Sequence, residues 1–244
     1  MRFSAESTLD GVTERLFTIG DAPGAVWAAA GATRPRPLIL LGHGGGHHKT
    51  APPIVARARR YVTNLGVAVA AVDTPGWGGR PTPAAYEPFN AEIEKLEPGP
   101  ALGDAFARRA IVAAELAIPE WQAAIDALTA LDWIGPGPVG YWGVSLGSAI
   151  GVPLVAAEPR ITAAVLGLMG HETLAAAAAR ITVPVEFHLQ WDDELAPRAS
   201  GLALFDAFGS AEKTLHANPG RHGEVPRFEI DSSERFFARH LKAG

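Results

Sequence analysis

The strongest constraint on the fold is a unit that recurs along the chain. A short apolar run ends in a loop of glycines and polar residues, and a segment with helical spacing follows. "RPLILLGHGGG" leads into "APPIVARARRYVTNLG", where Ile54, Ala58, Tyr61, Val62 and Leu65 share one helical face and Gly66 suits the stop. "VAVAAVD" ends at Asp73 before "TPGWGGR". "PVGYWGV" runs into "SLGSAIGVPLVAAE", and "ITAAVLGLMG", "VPVEFHLQW" and "EKTLHAN" repeat the pattern to a last helix. "RLFTIG" and "GAVWAAAG" add two early strands joined by a Gly/Pro turn. Short apolar runs bounded by turn residues read as buried strands, and strands alternating with helices imply a mainly parallel sheet covered on both faces. The expected class is α/β, folded as one domain over residues 1–244. Residues 80–104, rich in Pro and Glu, are expected to be a surface insertion that folds over the site as a short lid. Three local expectations accompany this reading. Pro119 bends or breaks a long helix, Pro153 kinks the helix after "GVSLG", and Asp231 with Glu234 caps the last helix.

Composition narrows the function. A net charge of −5 without a basic tract gives no footprint for nucleic acid. No apolar stretch is long enough for a bilayer, and the polar N-terminus does not read as a signal peptide, so a cytoplasmic location is the default expectation. The chain has no cysteine, which removes disulfides, thiolate metal sites and a cysteine nucleophile. Oligomeric state is not legible.

In open parallel sheets ligands sit beyond the carboxyl ends of the strands. Six loops follow strands there: "HGGGHH", "DTPGWGG", "GVSLG", "GHET", "WDDELAP" and "PGRHGE". Gly143, Ser145 and Gly147 fit G-x-S-x-G. A strand that turns at once into a helix leaves its corner residue strained, with its side chain out of the sheet top. Positions two before and two after must then be small. The alternative is a small-residue packing corner. A serine hydroxyl needs a base, and the base needs an acid to hold its tautomer. After Ser145, "LQWDDELAP" offers Asp192, Asp193 and Glu194, and "ANPGRHGEV" offers His222, each loop following its own strand. The remaining histidines have blander readings. His188 and His216 lie inside strands and read as structural, His240 as packing or surface, and His171 as a pocket residue. As the first helical residue, Leu146 offers an unpaired N–H to an oxyanion. Gly45, flanked by Gly44 and Gly46, offers a second. A phosphate loop lacks its Gly-Lys-Ser/Thr. A metal at His43, His47 and His48 lacks a further ligand at suitable spacing, so His43 is expected to hold the loop by hydrogen bonds.

With "LGHGGG", "DTPGWGGR", "GVSLG", "DDELAP" and "GRHGE" the chain resembles the α/β-hydrolase superfamily from about residue 12 onward. The small dienelactone-hydrolase-like and oligopeptidase-like serine esterases are the nearest type. The family pattern Asp-x-x-x-Pro selects Asp193 through Pro197. The resemblance implies a stand-alone serine hydrolase with triad Ser145, Asp193 and His222 and no cofactor or metal. Dienelactone hydrolases use cysteine and oligopeptidases carry a propeller domain, and this chain has neither. Trp77 and Trp191, with His171, Gly44 and Gly46, are the expected substrate contacts, and Trp142 the expected core tryptophan. An apolar, aromatic pocket favours a small to medium ester or lactone as the small-molecule partner. Two rivals stand beside this: a thioesterase, amidase or acyltransferase/cyclase with the same triad, and a non-catalytic ligand receptor.

Overall fold

The computed structural model describes residues 1–241. Nine strands form one sheet: β1 (Arg2–Leu9), β2 (Val12–Ile19), β3 (Ala22–Ala29), β4 (Leu38–Gly42), β5 (Ala68–Val72), β6 (Val139–Gly143), β7 (Ile161–Gly167), β8 (Val185–Gln190) and β9 (Lys213–Asn218). Their order is β1-β2-β3-β5-β4-β6-β7-β8-β9. The first three strands and β5 pair antiparallel, and every pairing from β5 to β9 is parallel. β4 through β8 are buried at every position except Thr162, as strands covered on both faces should be.

The helices divide between the two faces. α1 (Pro52–Leu65) and α7 (Phe228–His240) cover one, with Tyr61, Trp142 and Phe237 in the core beneath them. α3 (Pro100–Thr129) and α4 (Leu146–Ala157) cover the other, with Trp121, Tyr141 and Phe187 in that core. Three short helices fill in: α2 (Glu87–Ile93), α5 (Ala175–Ala178) and α6 (Arg198–Ala207). The chain leaves β4 for β5 on one side and then crosses to β6 on the other. The crevice where the strand order reverses therefore opens beyond the carboxyl ends of β4 and β6.

The described residues depart from expectation at the N-terminus and at the start of the last helix. The polar N-terminus is strand β1, exposed at all eight positions and held by its pairing to β2 and, at its end, by Arg59 of α1 donating to Leu9 O. Pro119 does not break α3, and α4 runs through Pro153. Burial of α4 at nearly every position supplies the stability that one missing backbone bond removes. α7 starts at Phe228, so Asp231 and Glu234 lie inside it and pair with Arg60 of α1 instead of capping. Segment 80–104 contains a 3-10 turn (Ala84–Tyr86), α2 and the first turn of α3. Its Tyr86 is buried, donates to Pro75 O and packs beside Trp77, which ties the segment to the body of the fold. No described helix is long and apolar enough to cross a membrane.

Candidate active site

The turn between β6 and α4 is as strained as its sequence predicts. Ser145 has φ 58° and ψ −120°, a conformation that residues with a side chain rarely adopt. Its N–H is anchored on Gly167 O at 2.9 Å. Close packing explains the flanking glycines. A Cβ on Gly147 would stand 2.4 Å from Gly42 O, and one on Gly143 2.8 Å from Gly147 O. The hydroxyl of buried Ser148 lies 2.8 Å from Gly143 O and 2.7 Å from Gly167 O and accepts the Gly167 N–H at 2.6 Å. This bond network fixes the corner from beneath.

Strands β8 and β9 supply the partners. His222 Nε2 lies 2.9 Å from Ser145 Oγ, and His222 Nδ1 lies 2.9 and 2.8 Å from the two Asp193 oxygens. With Nδ1–H donated to the carboxylate, Nε2 is the lone-pair nitrogen and can accept a hydrogen bond from the Ser145 hydroxyl. Asp193 also accepts the N–H groups of Leu195 (2.9 Å) and Ala196 (2.7 Å). Burial pushes this carboxyl up, but the His222 bond and those two N–H groups outweigh it and hold Asp193 below the usual carboxylate range. Asp192 is exposed on the same turn and has no part in this arrangement. The Glu194 carboxylate accepts the His222 backbone N–H at 3.0 Å, tying the loop after β8 to the loop after β9.

The glycine loop after β4 is pinned at both ends. His43 donates from Nδ1 to Gly44 O (2.9 Å) and accepts the Thr74 N–H at Nε2 (3.1 Å). Desolvation holds its pKa down, which fits a neutral ring with that tautomer. At the far end Lys49 donates its N–H and its ammonium to buried Asp73, at 2.6 and 2.8 Å.

These loops surround a cavity of about 740 Å³. Ser145, Leu146, His222, Gly45, Gly46, Trp77 and His171 all line it. Gly44 and Trp191 do not. Gly44 is turned into the loop, where its carbonyl takes the His43 ring and the His47 N–H. Trp191 is 42% exposed beneath the Arg198 guanidinium, in the turn that follows β8. Trp142 lies in the core under Arg57. Part of the cavity wall was hidden in the sequence. Gly103, Phe106, Ala107 and Arg109 come from the start of α3, and Leu195 and Ala196 from the acid loop. A Cβ on Gly103 would sit 2.1 Å from Leu195 O, so glycine is what lets α3 pack on that loop. The one signal in the sequence was helical spacing from Ala105 onward, which covers Phe106, Ala107 and Arg109 but not Gly103.

No protein-family model matches the sequence, and no curated protein matches it. Solved structures do match. The PEG-bound complex of a cold-adapted esterase from an Arctic intertidal metagenomic library is 35% identical, with TM-score 0.82 over 99% of this chain and 100% of that one. The zinc-bound structure of a cold-adapted esterase from an Arctic intertidal metagenomic library is 32% identical, with TM-score 0.77 over 99% of this chain and 100% of that one. An acetyl xylan esterase from Paenibacillus sp. R4 shares the fold at 14% identity, with TM-score 0.71 over 98% of this chain and 88% of that one. Identity above 30% over nearly the whole of both chains extends the likeness from fold to family: this chain belongs to the α/β-hydrolase esterases.

Proposed function

We propose that the chain hydrolyses a small or medium carboxylic ester or lactone through an acyl-enzyme on Ser145. One observation carries this reading. A serine held at φ 58° at the mouth of the cavity has its Oγ 2.9 Å from an imidazole nitrogen whose opposite nitrogen is bonded to a buried carboxylate. Ser145 attacks the carbonyl carbon while His222 Nε2 takes its proton. Asp193 keeps the ring in the accepting tautomer and stabilises the imidazolium. The N–H groups of Leu146 and Gly45 face the developing oxyanion, each contributing about 3 kcal/mol to transition-state stabilisation. His222 returns the proton to the leaving alkoxide, and a water activated by the same ring releases the acid. Trp77, Phe106, Ala107, Leu146 and Met169 give the cavity its apolar surface and favour an apolar acyl or aryl group.

A fluorophosphonate probe tests the nucleophile. We expect one adduct per chain on Ser145, absent in Ser145→Ala, with hydrolysis of p-nitrophenyl esters falling about 10⁵–10⁶-fold. A protein that takes no label and turns over no ester is a ligand receptor, and the reading fails. A panel of p-nitrophenyl esters, lactones and thioesters, run with and without competing alcohols and amines, separates ester hydrolysis from thioester cleavage and acyl transfer.

A further inference from the structure

On the opposite face of the sheet from the cavity-forming helices α3 and α4 lies a group of titratable side chains that this reaction does not use. Glu186 and His188 are two residues apart on β8 and project to the same face, under α7. His216 is paired with His188 in the β8–β9 register, and the two imidazoles lie parallel with centroids 5.4 Å apart. Glu229, in the first turn of α7, closes the group from above. One ligand atom from each residue lies within 4.8 Å of all the others. Glu186, His188 and Glu229 are buried, and the His216 side chain, 24% exposed, is the opening to solvent.

The contacts within the group are close. His188 Nε2 lies 2.8 Å from Glu186 Oε1, and His216 Nδ1 lies 2.7 Å from Glu229 Oε2. His216 Nε2 faces Glu186 Oε2 at 3.8 Å. A surrounding ring of donors holds the carboxylates. Ser233 and Ser232 donate to Glu186 at 2.9 and 3.3 Å, and Asn218 donates to Glu229 Oε1 at 2.8 Å. Outer hydrogen bonds that orient carboxylate and imidazole ligands are a regular part of metal sites. Two buried carboxylates must also be neutralised. Two protons shared with the imidazoles can do it, and so can one divalent cation with both imidazoles neutral.

We propose that Glu186, His188, His216 and Glu229 bind one divalent transition metal ion of the zinc class, joining β8, β9 and α7. Two imidazole nitrogens and two carboxylate oxygens suit a four-coordinate borderline ion, and the set is too rich in nitrogen for calcium or magnesium. A tetrahedral ion with bonds of about 2.0–2.1 Å needs its donors about 3.4 Å apart, so binding draws the widest pair inward by about 1.4 Å. Side-chain rotation of the glutamates and of half-buried His216 supplies that movement. The ion is structural: β8 continues into the loop of Asp193 and β9 into the loop of His222, and the ion clamps both strands without touching the substrate cavity.

The test needs no turnover. Protein stripped with EDTA and desalted is mixed with zinc chloride, passed through gel filtration and assayed for metal by mass spectrometry. The expected result is about one zinc per chain, a Tm raised by about 5 °C in saturating zinc, and with cobalt(II) the intense visible band of a four-coordinate ion. His216→Gln and Glu229→Gln each weaken zinc uptake by about tenfold or more, while His222→Ala keeps it. Three outcomes overturn the proposal: stripped, folded protein that takes up no zinc; uptake kept in His216→Gln but lost in His222→Ala, which places the ion on the triad; or only a weak six-coordinate cobalt spectrum. Where the variants do not fold, the cobalt spectrum of the wild-type protein decides.

Discussion

Ser145 sits where a side chain costs about 1–3 kcal/mol of backbone strain, and the cost is met by packing that only glycine neighbours allow. That is why this corner could be read from five residues: the glycines are steric requirements of the geometry. Asp193 was harder to single out. Asp192, Asp193 and Glu194 are chemically equivalent in the sequence, and the family's spacing to Pro197 alone favoured the middle one. Burial and two backbone N–H groups make the same choice physically. Asp193→Asn should lower kcat by about 10⁴-fold, because the amide favours the wrong imidazole tautomer. Asp192→Asn should stay close to wild type. A kinetic comparison in which Asp192→Asn is the inactive variant would reverse the assignment. Gly44 and Trp191, expected as substrate contacts, stand outside the cavity lining for one reason. Each lies in a loop at the correct sheet edge, and an edge does not say which way a given residue turns.

Among the elements, the loop after β4 is the most informative. The sequence shows its glycines and, of the groups that hold them, only His43. The holding groups are His43, bridging to the loop after β5, and the Lys49–Asp73 pair. The Lys49–Asp73 pairing was not legible in the sequence, because the two residues are 24 positions apart. Lys49→Met leaves the buried Asp73 carboxylate without its cation. We expect a loss of about 3 kcal/mol and a Tm lower by roughly 6–12 °C in thermal unfolding. Ester turnover should fall as well, since the same loop carries Gly45. An unchanged Tm would mean that the pair contributes nothing. The helices show the reverse limit of sequence reading. Proline removes a backbone bond, so Pro119 was expected to bend or break its helix and Pro153 to kink its own; α3 and α4 continue past both because they are packed against the sheet and each other.

For the whole molecule, stability should be graded across the sheet. β1 is exposed along its length and pairs with one neighbour, whereas β4, β6 and β7 are buried and paired on both sides. Hydrogen exchange followed by mass spectrometry should find β1 amides exchanging first and those of β4, β6 and β7 last. Equal protection of β1 and β6 would contradict this grading. β1 escaped the sequence reading because its residues are mostly polar and bury no face, so no hydrophobic period marks them. The sequence by itself determined the α/β class, the strand-to-helix corner at Ser145, and the loops that carry Asp193 and His222. These are local features, written in apolar runs, glycines and chain order. The tertiary structure alone decided which acid turns inward, which aromatics face the cavity, and that α3 walls it. It alone brought Glu186, His188, His216 and Glu229 together. Those outcomes depend on pairing register and on contacts between residues far apart in the chain, and a one-dimensional pattern does not encode them.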